Sequence, residues 1–260
     1  MESMQIQGSQ GQLSVIASGV GAGLPILLLH SDSGRATQWN QVIPKLSAGH
    51  KVIALDFRGH GSSAVAADGD YSYLGRADDI GAVVDKMGWH SCVIVSHSAS
   101  AGAALAYAAR ESGRVAGILM VDPPTDPRAM PPAVRDKYVR DLQGPASLDA
   151  QQAYFKSIAG SRDAVVREVL ADAAAVAAPA RLGVAEATAA WNPEAALHAF
   201  RGPMLVLSTK ASDNQNALYR LRADIPHRVV PDSGHWIQLD HPQLVANAIN
   251  DFVAGLRSKR

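Results

Sequence analysis

The segment Val93-Ile94-Val95-Ser96-His97-Ser98-Ala99-Ser100-Ala101-Gly102 decides the fold. An apolar run typical of a strand passes at Ser98 into small residues with helical spacing, so a strand leads directly into a helix. The residues two before and two after Ser98 are serines, small enough to fit around a sharp turn. Because open parallel sheets place their active sites at the carboxyl ends of strands, Ser98 is a candidate nucleophile. The alternative is that Ser98 only caps the helix that follows.

Apolar runs alternate with helical patterns on both sides of this segment, which indicates an α/β fold. We expect a mostly parallel, eight-stranded sheet flanked by helices. Six runs have clear strand character: Pro25–Leu29, Lys51–Leu55, Ser91–Val95, Val115–Val121, Pro203–Leu207 and His227–Val230. Two weaker runs, Met4–Gln7 and Leu13–Ala17, predict an antiparallel hairpin at one edge. Five segments have helical spacing: Ala36–Leu46, Tyr73–Met87, Ala99–Glu111, Asn214–Arg222 and Pro242–Leu256.

The alternation of strands and helices stops between about Pro124 and Phe200. This stretch has no convincing strand, and its prolines and glycines divide it into four or five helices. We therefore predict a core made of residues 1–124 and 201–260, with residues 125–200 inserted as a helical cap or lid.

The overall composition excludes several classes of function. Lys+Arg and Asp+Glu both number 24, so no net field favours nucleic acid or an anionic membrane. The single cysteine, the absence of a signal-like start and the lack of a long apolar run predict a cytoplasmic protein. The scattered histidines and the glycine spacing predict no metal and no bound cofactor. A small molecule is the expected partner, and the oligomeric state is open.

Three further motifs lie near the ends of predicted strands. One is Val230-Pro231-Asp232-Ser233-Gly234-His235-Trp236-Ile237-Gln238-Leu239-Asp240-His241-Pro242, which presents His235 on a loop after the last strand. An imidazole suits a general base because its ordinary pKa lies near neutrality. The second motif is Leu27-Leu28-Leu29-His30-Ser31-Asp32-Ser33-Gly34, and the third is Asp56-Phe57-Arg58-Gly59-His60-Gly61-Ser62, which we assign to loop architecture.

In order and spacing, these four motifs resemble those of the α/β-hydrolase superfamily, although Ser96 and Ser100 replace the two glycines of its Gly-x-Ser-x-Gly turn. The resemblance implies that Ser98 is the nucleophile and His235 the general base. It also implies that the backbone N–H groups of Asp32 and Ala99 form the oxyanion hole. The carboxyl group of Asp32 is unexpected beside a site for an anion, and an Asx turn is the plainer explanation.

Two residues compete for the triad acid, which holds the imidazole in one tautomer. Most family members place this acid after the seventh strand, where Ser212 occupies the expected position and Asp213 follows one place late. A minority, including haloalkane dehalogenases and zearalenone lactonases, place it after the sixth strand, which matches Asp122. We favour Asp122, with Asp213 as the alternative.

The resemblance implies a serine hydrolase that cleaves a small-molecule carboxylic ester or lactone through an acyl-enzyme. Val95-Ser96-His97-Ser98 also resembles cofactor-independent 2,4-dioxygenases on the same fold, in which His235 would deprotonate the substrate. A third possibility is a non-catalytic ligand receptor. Five large side chains of the predicted cap are candidate pocket residues, each of which could instead belong to the core of the cap: Met130, Tyr138, Tyr154, Phe155 and Trp191.

Overall fold

A single eight-stranded sheet organises the computed structural model, which describes residues 1–257. Its strands are β1 (Glu2–Gly8), β2 (Gly11–Ser18), β3 (Ile26–Leu29), β4 (Val52–Leu55), β5 (Cys92–His97), β6 (Val115–Val121), β7 (Met204–Thr209) and β8 (His227–Val230). They lie in the order β1-β2-β4-β3-β5-β6-β7-β8. β1 pairs antiparallel with β2, β2 pairs antiparallel with β4, and all other neighbours are parallel. The predicted sheet and its edge hairpin are confirmed.

Ten α-helices lie within the described part of the chain. They are α1 (Ile43–Leu46), α2 (Tyr73–Lys86), α3 (Ser100–Arg110), α4 (Pro132–Asp141), α5 (Ser147–Ile158), α6 (Asp163–Ala175), α7 (Ala178–Ala189), α8 (Pro193–Ala199), α9 (Ile237–Asp240) and α10 (Pro242–Arg257). None of the helices over residues 1–257 is both long and apolar enough to cross a membrane.

Helices cover both faces of the sheet because its central strands are apolar on both sides. Every residue of β3, β4 and β5 is buried. On one face, α2 and α3 pack closely, and a Cβ atom at Gly102 would lie 2.4 Å from the Tyr73 ring. The opposite face packs against α1 and α10 through side chains such as Ile43 and Ile249. Burial on both faces holds the carboxyl ends of the parallel strands in fixed positions.

Two predicted helices are wrong in extent. Instead of one helix over Ala36–Leu46, the chain forms a 3-10 turn at Ala36–Trp39 and then the short helix α1. Pro44 lies in the first turn of α1, where proline is compatible with starting a helix but lacks the N–H needed to continue one.

The predicted helix Asn214–Arg222 is reduced to a 3-10 turn at Leu218–Leu221. The Asn214 side chain accepts a hydrogen bond from the backbone N–H of Asn216 at 2.9 Å. Such a local bond offers the backbone an alternative to a helix, which explains why the helical spacing misled here.

Five helices, α4 to α8, occupy the stretch between β6 and β7, and we call residues 125–200 the helical segment. Phe155 and Val169 of this segment share a buried cluster with Trp236, the neighbour of His235. Ala180 shares another with Ala99, the neighbour of Ser98. The helical segment therefore lies over the carboxyl edge of the sheet. That it is a separate cap or lid stays a prediction.

Candidate active site

Ser98 occupies the sharp turn between β5 and α3. Its φ of 55° is in the left-handed region, which a side chain other than glycine rarely adopts. The turn is stabilised locally, because the backbone N–H of Ser98 donates to the carbonyl of Val121 at 2.9 Å and the Ser100 hydroxyl accepts from the His97 N–H at 2.9 Å. Within residues 1–257 the Ser98 side chain makes no hydrogen bond, so no neighbour fixes its hydroxyl.

His235 lies on the loop between β8 and α9, where its backbone N–H donates to the Ile158 carbonyl at 2.9 Å. The preceding residue must be glycine, because a Cβ atom at Gly234 would lie 2.3 Å from the Ala159 carbonyl oxygen. The loop is thus pressed against the end of α5, and this contact holds the imidazole in place.

His97 is a functional candidate that the sequence reasoning missed. Its Nε2–H donates to the His235 carbonyl at 3.0 Å, and its Nδ1 accepts from Gln238 Nε2 at 3.0 Å. Burial holds the pKa of His97 well below its ordinary value, so the ring is neutral. The position next to Ser98 was the available signal, but only the structure reveals that its ring supports the His235 loop.

Asp122 is the carboxylate that meets His235, with 2.6 Å between Oδ2 and Nδ1. Its φ of 41° turns the chain sharply after β6, and its Oδ1 accepts hydrogen bonds from the Thr209 N–H at 2.8 Å and from the Ser212 hydroxyl. Burial alone raises the pKa of Asp122, but the hydrogen bonds from His235, Ser212 and Thr209 outweigh it and hold the pKa below its ordinary value. The proton between the two groups therefore belongs to Nδ1, which leaves Nε2 as an acceptor.

Asp213, the alternative acid, lies elsewhere. Its carboxylate accepts from the Tyr219 hydroxyl and from Arg220 Nη2 at 3.4 Å. The residue one place earlier, Ser212, faces Asp122 instead. The structure thus brings Asp122 to His235 and does not bring Asp213 there.

The predicted oxyanion donors, Asp32 and Ala99, line the same cavity as Ser98 and His235. Within residues 1–257 neither backbone N–H donates to another residue, so both are available. The Asp32 loop is braced by buried His60, whose Nε2 accepts from the Ser33 N–H at 3.3 Å. Burial lowers the pKa of His60 to about 3, which keeps this nitrogen an acceptor.

The Asp32 carboxyl group contacts the Ser33 hydroxyl through Oδ1 at 2.9 Å and Gln151 Nε2 through Oδ2 at 3.4 Å. Burial raises its pKa to about 6, although the Ser33 hydrogen bond and the positive charges of Arg76 and Arg181 oppose the shift. The Asp32 carboxyl group thus accepts fewer hydrogen bonds from the protein than the Asp122 carboxyl group does.

The cavity above Ser98 has a volume of about 120 Å³. It shares Tyr138, Tyr154 and Thr188 with an outer cavity of about 320 Å³ formed largely by the helical segment. Of the five candidate pocket residues, Tyr138, Tyr154 and Phe155 line the inner cavity and Met130 lines the outer one. Trp191 packs in the core against the Tyr73 ring, with 5.5 Å between ring centroids. The walls are mainly apolar and aromatic.

No group of three or more metal-ligating side chains is arranged to hold an ion over residues 1–257. The site comprises a hydroxyl, an imidazole and a carboxylate, with two backbone N–H groups near the hydroxyl that donate to no other described residue.

Comparison with known proteins identifies the family and the fold of the chain. The model of the Alpha/beta hydrolase family matches residues 26–248. A non-heme chloroperoxidase of Streptomyces lividans is 34% identical over 143 residues, which span 51% of this chain and 49% of that protein. A 2-hydroxymuconate semialdehyde hydrolase of Pseudomonas sp. is 27% identical over 92% of this chain and 93% of its own length. The chain thus spans only about half of the first relative and nearly all of the second.

Among solved structures, a thermophilic esterase from Thermogutta terrifontis superposes with a TM-score of 0.83. It is 21% identical to this chain, and the match covers 98% of this chain and 99% of the esterase. At that identity the match establishes the shared fold.

Proposed function

The chain belongs to the alpha/beta hydrolase family, and we propose that it is a serine hydrolase that cleaves a small-molecule carboxylic ester or lactone through an acyl-enzyme on Ser98. The observation that carries this proposal is the contact of 2.6 Å between His235 Nδ1 and Asp122 Oδ2 beside a cavity that Ser98 also lines. The name of the relative that matches nearly the whole chain, a hydrolase, supports the reaction class.

In the first half of the reaction, Ser98 Oγ attacks the carbonyl carbon while His235 Nε2 accepts the hydroxyl proton. Asp122 orients the imidazole and stabilises its positive charge. The Asp32 and Ala99 N–H groups bind the oxyanion of the tetrahedral intermediate, and each such donor contributes about 10²–10³-fold in rate. When the intermediate collapses, the bond to the leaving oxygen breaks and His235 delivers the proton to that oxygen.

In the second half, a water molecule attacks the acyl-enzyme while His235 accepts one of its protons. The bond to Ser98 Oγ then breaks, the proton returns to that oxygen, and the carboxylic acid leaves. From a lactone, the product is a single hydroxy acid, because the leaving oxygen stays attached to the acyl chain.

We further propose that residues 125–200 act as a cap that supplies the walls of the substrate site. The small inner cavity would hold the reacting carbonyl and its nearest atoms, and the outer cavity would hold a more apolar part. Tyr138 and Tyr154, with 5.3 Å between their ring centroids, stand where the two cavities join.

The test is a panel of esters and lactones assayed with wild type, Ser98→Ala and the control Ser96→Ala. Ser96 lies in β5, two residues before Ser98, and its buried hydroxyl has no hydrogen-bond partner within the described residues, so its removal is mild. We expect wild type and Ser96→Ala to hydrolyse at least one ester or lactone, and Ser98→Ala to lose about 10³-fold or more in turnover.

Hydrolysis that survives in Ser98→Ala would contradict the proposal. Oxygen uptake with a quinolone substrate, with no ester or lactone cleaved, would favour the ring-cleaving dioxygenase. Binding of a ligand with neither reaction would favour a receptor.

A further inference from the structure

The inner cavity is unevenly charged. Apart from His235, the one ionisable group among residues 1–257 that lines it and has an ordinary pKa below neutrality is Asp32. Within the described part of the chain, no lysine or arginine lines this cavity. Asp122 lies behind the imidazole, where its contact with His235 occupies it. The part of a substrate that lies in the inner cavity therefore meets one acidic side chain and no lysine or arginine, whereas Arg135 lines the outer cavity.

The Asp32 carboxyl group has unused acceptor capacity. Its two hydrogen bonds, from Ser33 and from Gln151, leave part of a carboxylate that can accept about four. Over residues 1–257, no Lys, Arg or His nitrogen lies within 4.0 Å of its oxygens. A half-buried carboxylate without an ion pair is poorly stabilised, so a ligand that supplies a positive charge or an N–H group gains free energy there.

The two arginines that act on Asp32 form no ion pair with it. The Arg181 guanidinium, from α7, donates to Gln151, Ser147 and two backbone carbonyls. Arg76, from α2, is buried with its guanidinium carbon 4.9 Å from the centre of the Tyr73 ring, and its Nε and Nη2 atoms have no hydrogen-bond partner within residues 1–257. Both lower the pKa of Asp32 through their charge without forming an ion pair with it.

Besides His235, the remaining titratable groups that interact with Asp32 are three tyrosines, Tyr73 of α2 and two from the helical segment. Tyr138 of α4 and Tyr154 of α5 line the same cavity, and their hydroxyls are neutral because burial and the Asp32 charge raise their pKa values. The surroundings of Asp32 thus contain two arginines that form no ion pair with it and three neutral tyrosine hydroxyls. No described residue forms an ion pair with a negative charge on Asp32, so a cationic group of the substrate can do so.

We propose that Asp32 is a specificity-determining residue, whose carboxylate accepts a hydrogen bond from a cationic or N–H-bearing group a few atoms from the reacting carbonyl and disfavours substrates with an anionic group there. This inference rests on the proposed ester or lactone hydrolysis. It assigns two functions to one residue, because the backbone N–H binds the oxyanion and the side chain selects the substrate.

The test uses two sets of three nearly isosteric esters, assayed at about pH 8, where a tertiary amine is largely protonated. The acyl set is methyl 4-(dimethylamino)butyrate, methyl 5-methylhexanoate and monomethyl glutarate, which place a cation, a neutral group and an anion at the same distance. The alcohol set is 2-(dimethylamino)ethyl acetate, 3-methylbutyl acetate and 3-acetoxypropanoate. The neutral ester of each set is the internal reference, so each result is a ratio of kcat/KM values.

In at least one set, we expect wild type to favour the cationic ester over the neutral one by about tenfold and to disfavour the anionic ester by a similar factor. In Asp32→Asn both ratios should move to within about threefold of one. Ser33→Ala is the matched control, because it removes the hydrogen bond to Asp32 Oδ1 but keeps the carboxylate, and the Ser33 hydroxyl bonds to no other residue within 1–257. It should retain the charge preference of wild type.

Equal rates for all three charges in both sets with wild type would overturn the inference, as would a preference that persists in Asp32→Asn. A uniform fall of all rates in Asp32→Asn with unchanged ratios would assign Asp32 a structural role instead. Hydrolysis of none of the six esters would count against the proposed function itself, whereas hydrolysis without charge preference would count only against the role of Asp32.

Discussion

Two carboxyl groups flank the cavity above Ser98, and the protein treats them in opposite ways. Asp122, after β6, accepts hydrogen bonds from His235, Ser212 and Thr209, which hold its pKa below the ordinary value. Asp32, after β3, has two hydrogen bonds, and burial raises its pKa to about 6. The difference teaches that the local supply of donors, and not the residue type, decides which carboxylate can stabilise an imidazolium and which is left to interact with substrate.

The largest expected effect concerns the acid. Asp122→Asn should lower kcat by about 10³–10⁴-fold, because an amide cannot hold His235 in the productive tautomer. The measurement is steady-state kinetics on any ester that wild type cleaves. Asp213→Asn is the control, since its carboxylate contacts Tyr219 and Arg220 rather than His235, and it should keep activity within a few-fold of wild type. The opposite ranking of the two variants would reverse the assignment of the acid.

A second change tests whether a carboxylate on the turn after β7 can replace Asp122. Ser212 donates to Asp122, so a carboxylate introduced at residue 212 lies within reach of the same imidazole. In the Asp122→Asn background, Ser212→Asp should recover about tenfold or more of the lost kcat. No recovery in a folded double variant would indicate that only the backbone of the turn after β6 presents the acid correctly.

The third prediction uses pH to separate the two carboxyl groups. Asp32 loses its charge as the pH falls through about 6, so the preference of wild type for the cationic over the neutral ester should be full near pH 8 and largely absent near pH 5. Asp122 stays ionised in this range because its pKa lies below the ordinary value, and any change in the chemistry common to both esters cancels from the ratio. A ratio that does not change with pH, measured from initial rates, would contradict the role of Asp32.

The smallest effects are on stability, and their signs differ. Because the folded state lowers the pKa of Asp122, its carboxylate stabilises the fold above the ordinary pKa, and this stability is lost as the pH falls. The reverse holds for Asp32, whose raised pKa means that stability is lost as the pH rises through about 6. At about pH 8, Asp122→Asn should lower the free energy of unfolding by about 2 kcal/mol.

Asp32→Asn should instead raise the free energy of unfolding by about 1 kcal/mol at about pH 8, and the gain should shrink between about pH 6 and pH 4. Urea unfolding curves at several pH values measure both differences. If both variants lower the free energy of unfolding equally at every pH, the two carboxyl groups do not affect stability in opposite directions, and the contrast between them is wrong.

The sequence predicts the sheet well, because each strand carries its own signal in an apolar run such as Cys92-Val93-Ile94-Val95. It fails where one residue interrupts a regular helical pattern, at Pro44 because proline lacks the N–H that continues a helix and at Asn214 because its side chain bonds the local backbone. The pattern of apolar residues identifies each helix or strand, and single residues within the pattern decide where that element ends.

The candidate site divides in the same way. Ser98, His235 and Asp32 were identified from motifs, because each motif is contiguous in the chain. The choice between Asp122 and Asp213 depends on which turn faces the imidazole, and that contact joins residues 113 positions apart. His97 contacts the His235 carbonyl 138 positions away, and Gln151 contacts Asp32 119 positions away. A local sequence pattern does not predict either contact.

The central claim is that Ser98 becomes the covalently modified residue. Wild type, Ser98→Ala and Ser96→Ala should be treated with a fluorophosphonate ester, then analysed by intact mass spectrometry and peptide mapping. We predict a single adduct on the peptide that contains Ser98 in wild type and Ser96→Ala, and none in Ser98→Ala. A wild-type protein that stays unmodified, or an adduct that persists in Ser98→Ala, would contradict the account.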